Sequence, residues 1–142
     1  MTEEDCTLCK IARHEMESRI VYEDEHTVGV LDIRPRFAKG QCVVFPKRHV
    51  VHVHDLEDED ALRLFKGMKA VAKKIERLFN PENVAIFVRG RTFPHAHAIL
   101  FPSFPPEQDM FSQFLRPMML CNPLGQITEV ELDEIADKLR SS

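Results

Sequence analysis

His95 and His97 stand one residue apart in the run Phe93-Pro94-His95-Ala96-His97-Ala98-Ile99-Leu100-Phe101-Pro102. In an extended strand, residues two apart share a face and lie about 6.5 Å apart along the backbone. The two imidazoles therefore fall on one face, and Ala96, Ala98 and Leu100 line the other. Rings that titrate near neutral pH are costly on a strand face unless they hold a metal, a phosphate or another partner. A second grouping opens the chain, where Cys6-x-x-Cys9 precedes a short helical pattern. In a reducing compartment such a pair reads as metal-binding or redox-active, not as a structural disulfide.

The elements that must position these residues belong to one domain spanning 1–142. The 142 residues, 44% hydrophobic and 30% charged, suffice for one domain with a sizeable core and are few for two. A net charge of −4 excludes a general nucleic-acid-binding surface, and any phosphate site must be local. No apolar stretch approaches the ~20 residues of a membrane helix. The start, Met1-Thr2-Glu3-Glu4-Asp5, is acidic where a secretory signal is basic and then apolar, so the expected location is cytoplasmic.

Hydrophobic patterning predicts a short helix over 8–17 and strands over 20–23 and 27–33, with the turn Asp24-Glu25 between them. A Pro- and Gly-punctuated connection, 34–40, leads to an apolar strand over 41–45 that Pro46 ends. The long helix, 59–79, opens on the acidic run Glu57-Asp58-Glu59-Asp60, which suits the positive end of its dipole. It carries Leu64, Met68, Val71, Ile75 and Leu78 as one stripe, and Asn80-Pro81 ends it. Strands follow over 84–88 and 95–101, joined by the Arg89-Gly90-Arg91 turn. Pro-rich irregular chain fills 102–125. A last helix starts at Thr128, capped with Glu131 and stapled by Ile127 and Leu132, and is expected to bury Leu132, Ile135, Ala136 and Leu139. The sum is an α+β domain: five mainly antiparallel strands, one long helix and short terminal helices.

Four stretches in order resemble the histidine triad (HIT) family: Cys6-Thr7-Leu8-Cys9-Lys10-Ile11, Val30-Leu31-Asp32-Ile33-Arg34-Pro35, Pro46-Lys47-Arg48-His49 and His95-Ala96-His97. Each alone is weak, and all four in one order are specific. The resemblance implies a five-stranded sheet, a homodimer in which two sheets join, and a purine-nucleotide pocket on the histidine face. It implies cleavage at an α-phosphate with His97 as nucleophile, and nucleotide contacts from Asp32, Ile33, Arg91, Thr92 and His97. Asp32 would bind the ribose hydroxyls; on local pattern alone it is equally a carboxylate capping the Arg34-Pro35 loop. Some members hold a zinc through positions matching Cys6, Cys9, His49 and His95. Those four donors suit a closed, structural Zn2+ site and leave His97 free. The bland alternative is two free thiols near the chain start and a histidine that merely follows a strand.

The chemistry stands apart from the label. A neutral imidazole attacks phosphorus at pH 7 and departs readily from the adduct, dividing one difficult displacement into two. The remaining task is to hold the phosphate and neutralise its charge, for which the 89–92 turn offers donors. Two positions depart from the family pattern: Ile99 stands where the third histidine falls, and Arg91 where a glutamine is common. Losing one donor to the reacting phosphate costs about 10²–10³ in rate, and a guanidinium at 91 suits phosphate geometry. The leading expectation is a nucleotide hydrolase or nucleotidyl transferase. The alternatives are a non-catalytic nucleotide-binding module and a zinc-stabilised dimeric interaction module. Cys42 reads as a small core residue, and Cys121 carries no assignment. His52 and His54 read as exposed loop residues or as a second metal site with His49, and His14 and His26 as surface residues without partners.

Overall fold

The computed structural model describes residues 2–89, 93–105 and 128–141. Arg91, Thr92, Cys121, Ile127 and most of the Pro-rich tract lie outside the described residues, as does the staple predicted there. The elements are α1 (Thr7–Ala12), β1 (Ile20–Glu23), β2 (Thr27–Leu31), β3 (Cys42–Pro46), a 3-10 turn (Val53–Asp55), α2 (Asp58–Phe79), β4 (Asn83–Arg89), β5 (His97–Ser103) and α3 (Glu129–Arg140). The strands form one sheet in the order β1-β2-β3-β5-β4, every neighbouring pair antiparallel. The fold is the expected α+β arrangement.

Period-two alternation divides the sheet between two cores. On one face, Cys42, Val44, Ala98 and Leu100, with Ala96 just ahead of β5, meet Leu64, Met68, Val71 and Ile75 of α2. On the other, Val28, Val30 and Phe45 meet Leu8, Cys9 and Ile11 of α1, with Cys6 beside them. The approach of α2 depends on a glycine in mid-helix, where the residue ordinarily costs about 1 kcal/mol. A Cβ on Gly67 would lie 2.5 Å from Cγ2 of the fully buried Thr27, so no larger residue lets the helix sit this close.

Element boundaries differ from the sequence reading where local contacts intervene. The first helix ends at Ala12, not near 17, because His14 takes a left-handed turn (φ 58°) that sends the chain back toward β1. His14 also has a partner, Glu23, at 3.1 Å. The second strand stops at Leu31 because the Asp32 side chain accepts the Arg34 N–H and bends the chain away. The last strand starts at His97 because the Ala96 N–H donates to the Val50 carbonyl in a loop. That strand runs on through Pro102 and Ser103. There it borders β4 alone, so the missing proline N–H breaks no ladder with β3.

Three predicted core positions are exposed. Leu78 ends the α2 stripe at 76% exposure, because Phe79, the next residue, takes the core-facing position instead. The capping box at Thr128 and Glu131 forms as expected. Ile135 and Leu139, predicted to be buried, are exposed, and so is Val130. A helix secured by its own cap needs no core contact to be defined at its start.

Candidate functional site

Three groups occupy the sheet face opposite α2. The first is the thiol and imidazole cluster. Cys6 precedes α1 and Cys9 lies in its first turn, a spacing of three that puts both sulfurs on one helix face. His49 lies just past β3 and His95 just ahead of β5. The Ala96 N–H to Val50 carbonyl bond (2.6 Å) ties those two segments together. His95 Nδ1 lies 3.4 Å from each sulfur, and His49 Nδ1 lies 3.2 Å from Cys9 Sγ. All four donor atoms fall within 4.8 Å of one another.

Tetrahedral coordination with bonds of about 2.3 Å to sulfur and 2.0 Å to nitrogen separates S and N donors by about 3.6 Å. The three sulfur-to-nitrogen contacts sit within a few tenths of an ångström of that. The outer contacts also agree. His95 Nε2 donates to the Pro46 carbonyl at 2.8 Å, which fixes the tautomer and turns the Nδ1 lone pair toward the sulfurs. The Phe45 ring stands edge-on to His95 at 5.7 Å and covers its apolar side. Burial depresses the His95 imidazole to about 4, so it is neutral at pH 7 as a ligand must be. Burial, and then the neighbouring Cys6, pushes the Cys9 thiol up to about 12. A bound cation is the group that draws a proton off such a thiol.

The second group is His97. Its ring is 5% exposed, edge-on to Phe93 at 6.2 Å, and takes no place among the four clustered donors. Nδ1 donates to the His95 carbonyl at 2.6 Å. That bond leaves the Nε2 lone pair uncommitted among the described residues. His95 and His97 are thus coupled by main chain, one ring turned into the cluster and the other held by its neighbour's carbonyl.

The third group surrounds Asp32. Its Oδ1 accepts the Arg34 N–H at 2.8 Å and its Oδ2 accepts Gln41 Nε2 at 2.6 Å. A carboxylate offers about four acceptor positions, so capacity for two further donors remains. Asp32 therefore does cap its loop, as local pattern allowed, and is still able to bind a diol. Ile33 beside it is 72% exposed. Between Asp32 and His97 runs an apolar strip: Val43 and Phe87 flank Ile99 across β3, β5 and β4, and Phe37 stacks on Phe101 at 4.7 Å. Strand spacing puts the row of His97 about 13 Å from the row of Phe101.

The HIT domain profile matches residues 13–104, well over half of the chain. The chain belongs to the HIT family. Protein hit of Bacillus subtilis is 38% identical over 106 residues, covering 71% of this chain and 72% of that one. Adenosine 5'-monophosphoramidase hnt1 of Schizosaccharomyces pombe is 30% identical over 90 residues, covering 63% and 64%. A HIT family protein of Bacillus anthracis, solved by crystallography, superposes with a TM-score of 0.80 at 28% identity, over 99% of this chain and 98% of that one.

This HIT chain brings together Cys6, Cys9, His49 and His95, and sets His97 beside them. Asp32 and Ile33 lie farther along the same face, and Arg91 and Thr92 are not among the described residues. His52 and His54 stack on each other at 5.0 Å and stay outside the cluster. Sequence reasoning missed Gln41, treated only as the start of an apolar strand, and the carbonyls of Pro46 and Val50. A polar residue between Gly40 and Cys42 was a readable signal for the first. Main-chain acceptors have none.

Proposed function

We propose that this HIT protein is a nucleotide hydrolase or nucleotidyl transferase acting at the α-phosphate of a purine nucleotide conjugate. His97 Nε2 attacks phosphorus, the bond to the leaving amine or phosphate breaks, and that group departs with a proton taken from solvent. The histidine then carries the nucleotidyl group. Water or an acceptor attacks the same phosphorus and gives its proton to solvent, the P–N bond breaks, and His97 is restored with release of a nucleoside monophosphate or its transfer product. The observation that carries the reading is the His97 Nδ1–H bond to the His95 carbonyl, which fixes the tautomer a nucleophile requires. Asp32 and Ile33 receive the ribose and base side. Arg91 and Thr92 are assigned to the phosphate, since a guanidinium and a hydroxyl both donate to its oxygens.

Cys6, Cys9, His49 and His95 would hold zinc, in a structural role, because four protein ligands leave no open position. The ion would join the chain start to the sheet, and this chain's own carbonyl at His95 would carry that rigidity to His97. The unpaired buried thiols of Cys6, Cys9 and Cys42 favour a reducing, cytoplasmic setting. None of the described helices is long and apolar enough to cross a membrane. A homodimer is favoured by β4, an outer strand with Ile86, Phe87 and Val88 exposed, the kind of sheet edge proteins usually cover.

One observation favours a second reading, a non-catalytic nucleotide-binding module. Ile99, half-buried between Val43 and Phe87, stands where a third histidine would face the phosphate. Incubation with adenosine 5'-phosphoramidate, followed by rapid acid quench and intact-mass measurement, separates the two. The expected result is one AMP adduct on the wild type and none on His97→Ala, with AMP accumulating only in the wild type. An unmodified protein that binds AMP but releases no product supports the module instead.

A further inference from the structure

We propose that Gln41 is a positioning residue that makes this site prefer ribonucleotides to 2'-deoxyribonucleotides, an inference that rests on the nucleotide reading above. Gln41 is only 2% exposed, and its side-chain amide makes three hydrogen bonds. Nε2 donates to Asp32 Oδ2 at 2.6 Å, while Oε1 accepts the N–H groups of Arg36 at 3.3 Å and Phe37 at 3.1 Å. Its main chain closes the same loop, since its carbonyl accepts the Asp32 N–H at 2.9 Å and its N–H donates to the Ala38 carbonyl at 3.2 Å. The loop can make this return because Gly40 adopts a left-handed conformation at φ 88°.

One buried amide therefore grips two things a nucleotide would touch. With Oδ2 held by Gln41 and Oδ1 by the Arg34 N–H, the Asp32 carboxylate cannot rotate, and its remaining lone pairs keep one direction. Through the Phe37 N–H, the same side chain holds the loop whose ring stacks on Phe101. A carboxylate fixed in this way recognises a vicinal diol by a geometry prepared before binding, which is where selectivity for the 2'-hydroxyl arises. A freely turning carboxylate would form the same bonds at an ordering cost that erodes the preference. Nothing else among the described residues bonds to Oδ2, so the fixing of that oxygen depends on Gln41.

Calorimetric titration with AMP, dAMP, GMP and dGMP tests this on the wild type, Gln41→Leu and Gln41→Glu. Glu keeps the acceptor for Arg36 and Phe37 but sets an oxygen against Asp32 Oδ2, so the loop is retained and only the carboxylate is released. The wild type is expected to bind each ribonucleotide about 10- to 100-fold more tightly than its deoxy form, the worth of one hydrogen bond to a charged group. Both variants should bring that ratio to within about threefold, with Gln41→Glu keeping the wild-type circular dichroism. A purely structural role would weaken ribo and deoxy ligands equally and leave the ratio unchanged, which overturns the proposal. So does a wild type that binds both forms alike. A wild type that binds none of the four overturns the nucleotide reading itself.

Discussion

Stripping the proposed zinc from the Cys6, Cys9, His49 and His95 cluster should loosen one corner of this protein and leave the sheet standing. The four donors come from three distant parts of the chain, 40 and 86 residues apart along the Cys9 to His49 and Cys9 to His95 contacts. An ion there closes two long loops at once. The element it secures, α1, has six residues, below the about 12–15 an isolated helix needs in water. Its grip otherwise rests on Leu8 and Ile11 against Val28, Val30 and Phe45. At an ion concentration a thousand times Kd, binding adds about 4 kcal/mol to stability. For a chain of this size each kcal/mol moves Tm by about 3 °C, so chelation should lower it by about 10 °C. Emptying the cluster leaves His95 neutral and the Cys9 thiol protonated, so neither is stranded as a buried charge. The loss is then local. Elemental analysis should find one zinc per chain in wild type and in Cys42→Ala, and none in Cys9→Ser. Amide exchange after chelation should speed up in α1 and around 46–50, with β2 and β3 still protected. Protein purified without metal, or a Tm and α1 exchange that ignore the chelator, would refute the reasoning.

Three further outcomes are expected. Ile99→His, which adds an imidazole two residues along the same face, should raise phosphoramidate turnover by about 10², the worth of one donor to a reacting phosphate; steady-state kinetics showing no gain would remove the case that Ile99 limits the chemistry. Tyr22 is the only tyrosine, and its hydroxyl donates to Asp24 Oδ2 at 2.6 Å. That bond, with burial, pushes its pKa up to about 12, so its absorbance titration should fall toward 10 in Asp24→Asn. Since the folded value is raised, the bond's contribution to stability is complete below pH 10 and is lost as pH climbs from 10 to 12. An identical midpoint in both proteins would contradict this. Gly67→Ala should lower stability by about 1–2 kcal/mol in urea, since its Cβ would meet Thr27 at 2.5 Å and overpacking outweighs the helix propensity gained; a stabilised variant would mean that α2 can shift.

The elements were legible because each rests on a local rule. Short apolar runs bounded by turn residues mark β2 and β3, the His-Ala-His alternation marks β5, the stripe through Leu64, Met68, Val71 and Ile75 marks α2, and Thr128 with Glu131 marks the start of α3. The donor types were legible as well, since Cys-x-x-Cys and His-Ala-His are short-range patterns. Their boundaries were less so. The early end of α1 follows from a left-handed turn at His14, and the delayed start of β5 from an N–H at Ala96 that bonds to Val50 instead of a ladder.

What composition and spacing determined by themselves was therefore which residues have chemistry to offer and which face of an element each occupies. Tertiary structure decided which of them meet. His49 and His95 meet at the Cys9 sulfur only because the end of β3 lies beside the start of β5, and Gln41 finds Asp32 only because one loop closes on itself. The physical reason is the range of the forces involved. Backbone sterics and side-chain periodicity act over a few residues and are written in order along the chain. Hydrogen bonds and ligand geometry act over about 3 Å of space, which packing alone brings together.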